Sequence, residues 1–457
     1  VKAMIRQISA LAGIAIAAAG ITLLPLGNFQ VGSAPETAEF DVKAKALSLI
    51  CPGAAMNTGG ANGTSVGNFD RLGAATISKN STVGITPSGV GGATLLTVAG
   101  AADQGSIALN AGQIQNAASA RLNGLLGASC QAPSARHWLL GGDTTTGRET
   151  LLLLSNPSTV PATVNLEVYA EGGQVQASGL SGIAVSAGET QVVPLSSLIP
   201  ETRSFAVQVS SRGASVGAWL QQRTVRGLLY AGADFVSPLT EINKSLSIPG
   251  ILVRGAKAAT ELIAINDDYS DLLPALRVFN PTDSVATFTA QIFGANDKTF
   301  GTVIRESVPA KSVKDFTLTG LSDGDYAAFI NSDRDIAASV RLPRSDKTKK
   351  PNTDFTWLQS SQSLTRSQQI TVPNAGISKL ALSNSSNQPA VFSLNGSVIN
   401  LKAQGTLVIK VDPGPVNLKV TDGSIGGNLV VDIGGAITNL ALVDYRNSGS
   451  RVAVRVR

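Results

Sequence analysis

The chain is short of the side chains that most enzyme chemistry uses. Its 457 residues include one histidine, two cysteines and three tryptophans, and charged residues make up only 15%. A zinc centre draws several ligands from His and Cys, and this supply is too small for one. A Ser-His-Asp relay would have to use His137, but Trp138 and the apolar "LLGG" beside it read as a strand entering a core. No Gly-x-Ser-x-Gly elbow stands near a strand-to-helix turn. The Gly-rich loop "GGDTTTGRE" at 141–149 lacks the lysine and spacing of a phosphate-binding loop. Neither a cofactor, a metal nor a catalytic set is therefore expected. Helical periodicity is also scarce beyond the N-terminus. The best candidate is a short helix over 111–126, with Ile114, Ala118, Leu122 and Leu125 on one side.

What the chain has in abundance is strand pattern, and the pattern repeats. "LLLLSNPSTVPATVNLEVY" at 151–169 returns as "PALRVFNPTDSVATFTAQIF" at 274–293 and more faintly as "KLALSNSSNQPAVFSL" at 379–394. In each copy, apolar alternation runs up to an Asn, a turn follows, and alternation resumes, as in two neighbouring strands. Later landmarks keep the same order. "VSAGETQVVPL" at 185–195 matches "VPAKSVKDFTL" at 308–318 and "KAQGTLVIKV" at 402–411, while "GADFV" at 232–236 matches "NTDFT" at 352–356. The period is roughly 120 residues, an immunoglobulin-like sandwich of about 100 plus a connector. The expected fold is all-β: tandem immunoglobulin-like β-sandwich modules behind an N-terminal transmembrane helix. The expected division is an anchor at 1–30, a disulfide-bridged β-rich region at 36–135, modules at 136–245 and 246–360, and a shorter third module at 361–457.

The first residues point to a compartment. Lys2 and Arg6 precede an uncharged run at 8–26, roughly 28 Å long as a helix and close to the ~30 Å hydrocarbon core. The site after Ala34 is poor for cleavage, so an uncleaved single-pass anchor is expected, with secretion after cleavage as the alternative. The charge bias then places the bulk of the chain outside the cytoplasm. Ala10, Gly13, Ala17 and Gly20 form a small-residue face within the span. Cys51 and Cys130 are the only cysteines, and an even count in an exported chain reads as one disulfide. It would close a loop of about 80 residues, worth up to about 4.5 kcal/mol in the chain-entropy model.

Few residues stand out as ligand contacts. Asp143, Thr144 and Arg148 lie on the Gly-rich loop and form its candidate contact set, with an Asp143–Arg148 ion pair as the expected brace. Acidic runs at 266–271, with Asp267, Asp268 and Asp271, and at 322–325 raise calcium, but turn chemistry explains them equally. The balance of 36 Lys plus Arg against 31 Asp plus Glu is mildly basic, with local excess at 344–350 and at Arg446, Arg451, Arg455 and Arg457. Outside the cytoplasm nucleic acid is not an expected partner, and anionic wall polymers or headgroups are the available acidic surfaces.

The phrases "CPG" at 51–53, "SC" at 129–130, "HWLLGGDTTTGRETLLLLSNPSTVPATV" at 137–164 and "SIPGI" at 247–251 carry a resemblance. The chain resembles an actinobacterial family of membrane-anchored secreted proteins classed as a domain of unknown function. That resemblance implies an extracytoplasmic, β-rich ectodomain and brings no activity, cofactor or catalytic residue with it. In the third module Asn384-Ser385 replaces Asn-Pro, which puts a shared role for that copy in doubt. The expectation is a non-catalytic interaction scaffold of the cell envelope. Its partners are envelope proteins or an anionic cell-wall polymer, with the membrane reached through residues 8–26. The alternatives are a glycan-binding protein and a carbohydrate-active enzyme with paired carboxylates, for which a cleft lined by Trp and Asp would be the mark.

Overall fold

Three asparagines set the frame of each repeat, and all three are fully buried: Asn156, Asn280 and Asn384. In a computed structural model that describes residues 37–59, 69–80, 84–100, 106–119, 121–295, 301–345 and 352–455, each does the same work. The side-chain oxygen accepts from the backbone N–H and the hydroxyl two residues on, at Ser158, Thr282 and Ser386. The amide nitrogen donates to the carbonyl four residues on, at Val160, Ser284 and Gln388, and then to a neighbouring turn at Val185, Val308 and Leu401. An Asx turn is thus stapled to a second turn in every copy. The third copy keeps the whole set without the proline, so the Asn alone carries the turn.

Around these turns the strands form pairs of antiparallel sheets in one recurring order. In the first unit, one sheet runs Arg136–Leu140, Phe205–Arg212, Ala162–Ala170, Gly173–Val175; the other runs Thr190–Pro194, Arg148–Ser155, Gly217–Arg226, Leu229–Val236. In the second unit the equivalents are Asn243–Val253, Gly324–Ser345, Ala286–Gly294, Thr302–Val308, and Ser312–Thr317, Ala275–Asn280, Gly324–Ser345, Thr353–Gln359. The third repeats it with Gln368–Val372, Gly414–Asp422, Ala390–Leu394, Ser397–Leu401, and Thr406–Val411, Ile377–Ser383, Gly426–Asp432, Ile437–Ala441. The fold is all-β, and each unit buries its own apolar core between its two sheets.

A single strand of 22 residues, Gly324–Ser345, serves both sheets of the second unit. In the other two units the chain breaks at this place, where Gly213 and Gly423 take φ of 88° and 71°. The second unit has no glycine there and bends without breaking, because non-glycine residues resist the left-handed region.

The expected helix over 111–126 is absent. The segment is a hairpin of Ala111–Ser119 and Leu122–Ser129. Tertiary contacts override the alanine-rich propensity. Gln113 and Gln115 are buried and hold the backbone of the "CPGAA" segment, Gln113 at both the N–H and carbonyl of Gly53 and Gln115 at the N–H of Ala55. Two glycines mark close approach: a Cβ on Gly112 would lie 2.8 Å from Leu440, and one on Gly127 2.4 Å from Thr438. The longest described helix is instead Ala256–Ile265, where Asp323 accepts from the first free N–H groups at Gly255 and Ala256.

The first and last described strands come together. Tyr445–Ser448 pairs with Ser106–Leu109, and Ser450–Arg455 pairs with Thr37–Val42 in a separate two-stranded ribbon. Strands after the third unit therefore pair with strands of the first region. Cys51 and Cys130 form the disulfide, with Cα atoms 4.3 Å apart. The run at 8–26 lies outside the described residues, and among those described no helix is long and apolar enough to cross a membrane.

Candidate functional site

The last strands of four hairpins, Leu122–Ser129, Leu229–Val236, Thr353–Gln359 and Ile437–Ala441, pack against one another. This junction fixes the first two units side by side and opens a polar cleft of about 430 Å³ between them. One wall comes from the loop before Arg148–Ser155, with Asp143, Thr145 and Thr146. The other comes from the 3₁₀ turn Asp267–Leu272 and from Arg277, Asp315, Arg341 and Trp357.

Two charge clusters build the walls. Arg277 grips Asp315 with two bonds of 2.7 and 2.8 Å, and donates to the carbonyls of Gly142 and Arg203 in the first unit. Its guanidinium lies 4.6 Å above the ring of Trp357, a stacked geometry that arginine suits. Asp315 also accepts from Ser204 across the junction. The second cluster centres on Asp271, which takes Arg148 at 3.0 Å, Arg341 at 3.1 Å and Arg226 as well. Burial alone would raise the Asp271 carboxyl, but Arg341, Arg226 and Arg148 outweigh it and hold it below its ordinary range.

The expected loop set divides. Asp143 and Arg148 both line the cleft, but they do not brace each other. Asp143 accepts from the N–H and hydroxyl of Thr145, while Arg148 reaches Asp271 in the second unit, because the junction offers a buried carboxylate in place of a local one. Thr144 turns away: its hydroxyl donates to the carbonyls of Ile199 and Thr202. The acidic runs are largely engaged too. Asp271 holds three arginines, Asp323 caps the helix, and Asp325 pairs with Arg254 and Lys379. Among the described residues no group of three His, Cys, Asp or Glu is placed to hold a metal ion.

His137 lines a separate cavity of about 470 Å³ where the connectors between units meet, together with Gln131, Gln362 and Tyr445. Its Nε2 lies 2.7 Å from the carbonyl of Val216, and burial lowers its pKa. The tryptophans are packed rather than displayed. Trp219 and Trp357 are buried, and Trp138 stacks with Tyr169 and Phe279 at centroid distances of 5.8 and 5.1 Å. Of the expected basic residues, Arg344 is buried against Asp432 at 2.7 Å and Arg446 pairs with Asp444, while 346–350 and the side chains of Arg451, Arg455 and Arg457 lie outside what is described.

Sequence reasoning passed over Arg226, Arg277 and Arg341, which sit inside strand phrases and look like exposed-face residues there. It also passed over Asp234 and Asp354, although both matched phrases "GADFV" and "NTDFT" carry the Asp.

The model of a family described as a family of unknown function, DUF5719, matches residues 85–412, more than half of the chain. The chain belongs to that family. No curated protein matches it. The DUF5719 match takes in both walls of the cleft and ends at the fifth strand of the third unit.

Proposed function

We propose that the chain is an extracytoplasmic envelope protein, held by the span at 8–26, whose tandem immunoglobulin-like units act as a non-catalytic interaction scaffold. Its partners are envelope proteins or an anionic wall polymer, and the resemblance to actinobacterial secreted proteins supports that setting. The observation that carries the reading is the state of the cleft's charges. Asp271 and Asp315, two of the five carboxylates that line it, are held by four arginines between them. A glycoside hydrolase needs one carboxyl that keeps a proton and a second facing it, both free to act. Asp271 is instead held ionised by its neighbours, which suits a preformed binding surface. The Trp357 ring, covered by Arg277, offers no open platform for a sugar.

The test is photo-crosslinking in cells from two exposed positions, Thr146 at the cleft mouth and Val398 on the third unit. Recovery of one defined envelope component from Thr146 and not from Val398 supports the scaffold reading. Equal, diffuse labelling from both contradicts it.

A further inference from the structure

We infer that the cleft between the first two units takes a single anionic group, a phosphodiester or a carboxylate, carried on a hydroxylated chain. The inference rests on the binding reading above and names the chemistry that the site would recognise.

It starts from a count of buried charge. Arg148, Arg226 and Arg341 converge on one carboxylate, with side-chain exposures of 14, 7 and 11%. Arg277 and Asp315 beside them cancel. Asp143 is the other acid that Arg341 feels across the cleft, and its carboxylate is held by Thr145. Counted with Arg226, which bonds Asp271 from behind the lining, three guanidinium groups stand against Asp143 and Asp271, one positive charge in excess. A surplus charge out of water is costly unless a counter-charge reaches it. Arg341 shows that cost, since burial lowers its pKa even with Asp271 attached.

Asp267 and Asp268 do not remove the surplus. They line the cleft at its solvent-exposed mouth and make no side-chain bond to an arginine among the described residues. Solvent screens charges in that position far more than those in the wall. Arg203, exposed at the same mouth, has no described partner for its guanidinium and offers a free donor to an arriving anion.

The remaining lining fits a hydroxylated chain. Thr145, Thr146, Ser270 and Thr317 supply hydroxyls along the walls, and about 430 Å³ lies within the usual size of a small-ligand site. Since Arg277 covers Trp357, recognition runs through charge and hydrogen bonds, not ring stacking.

The test titrates the full-length chain with a glycerol phosphate oligomer, a polygalacturonate oligomer and neutral dextran, at low and high salt. Binding of the phosphate oligomer assigns a phosphodiester, and binding of polygalacturonate assigns a carboxylate. Either supports the inference if it weakens with salt and falls about tenfold in Arg203→Ala and in Arg148→Gln, as loss of a charged donor implies. Circular dichroism of both variants separates lost binding from lost folding. Dextran binding as tightly as the anions overturns the inference. So does failure of both anions to bind while Thr146 crosslinks to an envelope protein, an outcome that leaves the scaffold reading standing.

Discussion

Asp234 and Asp354 occupy the same place in two successive hairpins, and between them they tie four strands together. Asp234 accepts from the N–H groups of Gly127 and Trp357 and from the hydroxyls of Thr356 and Thr438. Asp354 accepts from the N–H groups of Leu125, Ala233 and Ile437. Every one of the four central strands contributes to this knot, so the units are joined by buried polar bonds as well as by apolar packing.

The knot makes stability depend on pH. Burial pushes Asp234 up to about 7 from 3.8, against the hydrogen bonds that favour its charged form, and it pushes Asp354 well up too, with the Asp234 charge adding to the rise. The charged groups near the knot are Arg344, which feels Asp354, and Asp432, which pairs with Arg344. A carboxyl whose folded value is raised binds its proton more tightly in the folded state. Its contribution is therefore full below 3.8 and is lost as pH rises through about 7. Denaturant midpoints measured across that window should fall with pH, and Asp234→Asn should flatten the fall. An unchanged slope in the variant would remove Asp234 as its source.

Asn384→Ala should cost about 2 kcal/mol, because the buried carbonyl of Leu401 and the part-buried carbonyls of Gln388 and Lys402 lose their donor. Asn156→Ala and Asn280→Ala should behave alike. Chemical denaturation measures it, and a loss near zero in the third unit would mean that its turn is not stapled like the others.

Gly188, Lys311 and Gln404 hold the same left-handed turn position, with φ of 73°, 53° and 51°. Gln404→Gly should stabilise the chain by about 0.5–1 kcal/mol through relief of strain at that position. Lys311→Gly should gain less, since Lys311 also bonds the carbonyl of Pro281 and pairs with Asp283. Thermal melts of the two variants rank them, and the reverse order would contradict the argument.

Arg277→Lys keeps the charge but loses the two-point grip on Asp315, the reach to Gly142 and Arg203, and the stack on Trp357. A destabilisation of about 3 kcal/mol is expected, as for a broken buried pair. A loss under ~1 kcal/mol would show that the junction of the first two units does not depend on this residue.

Much of this architecture was legible in the sequence where local pattern and tertiary demand agree. The repeated strand phrases, the Asn turns and the cysteine pair all declare themselves because strand alternation and turn chemistry are short-range. The hairpin at 111–129 was hidden because Gln113 and Gln115 read as polar surface on a helix, whereas they are buried by bonds to a segment about 60 residues earlier. The cleft was half visible. Its Gly-rich loop and acidic turn stood out as residues, but nothing local shows that Arg148 will reach across to Asp271, 123 positions away. The knot was hidden for the same reason, since the donors to Asp234 lie on three other strands.

The most direct test of the account is to incubate the full-length chain with isolated envelope material and follow both bound mass and released fragments over time. Saturable binding, with the captured material unchanged in size and the binding lost in Arg148→Gln, is the predicted result. Steady release of cleaved fragments by the native chain, abolished by substituting Asp267 or Asp268, would show that the cleft carries out chemistry and would contradict the scaffold.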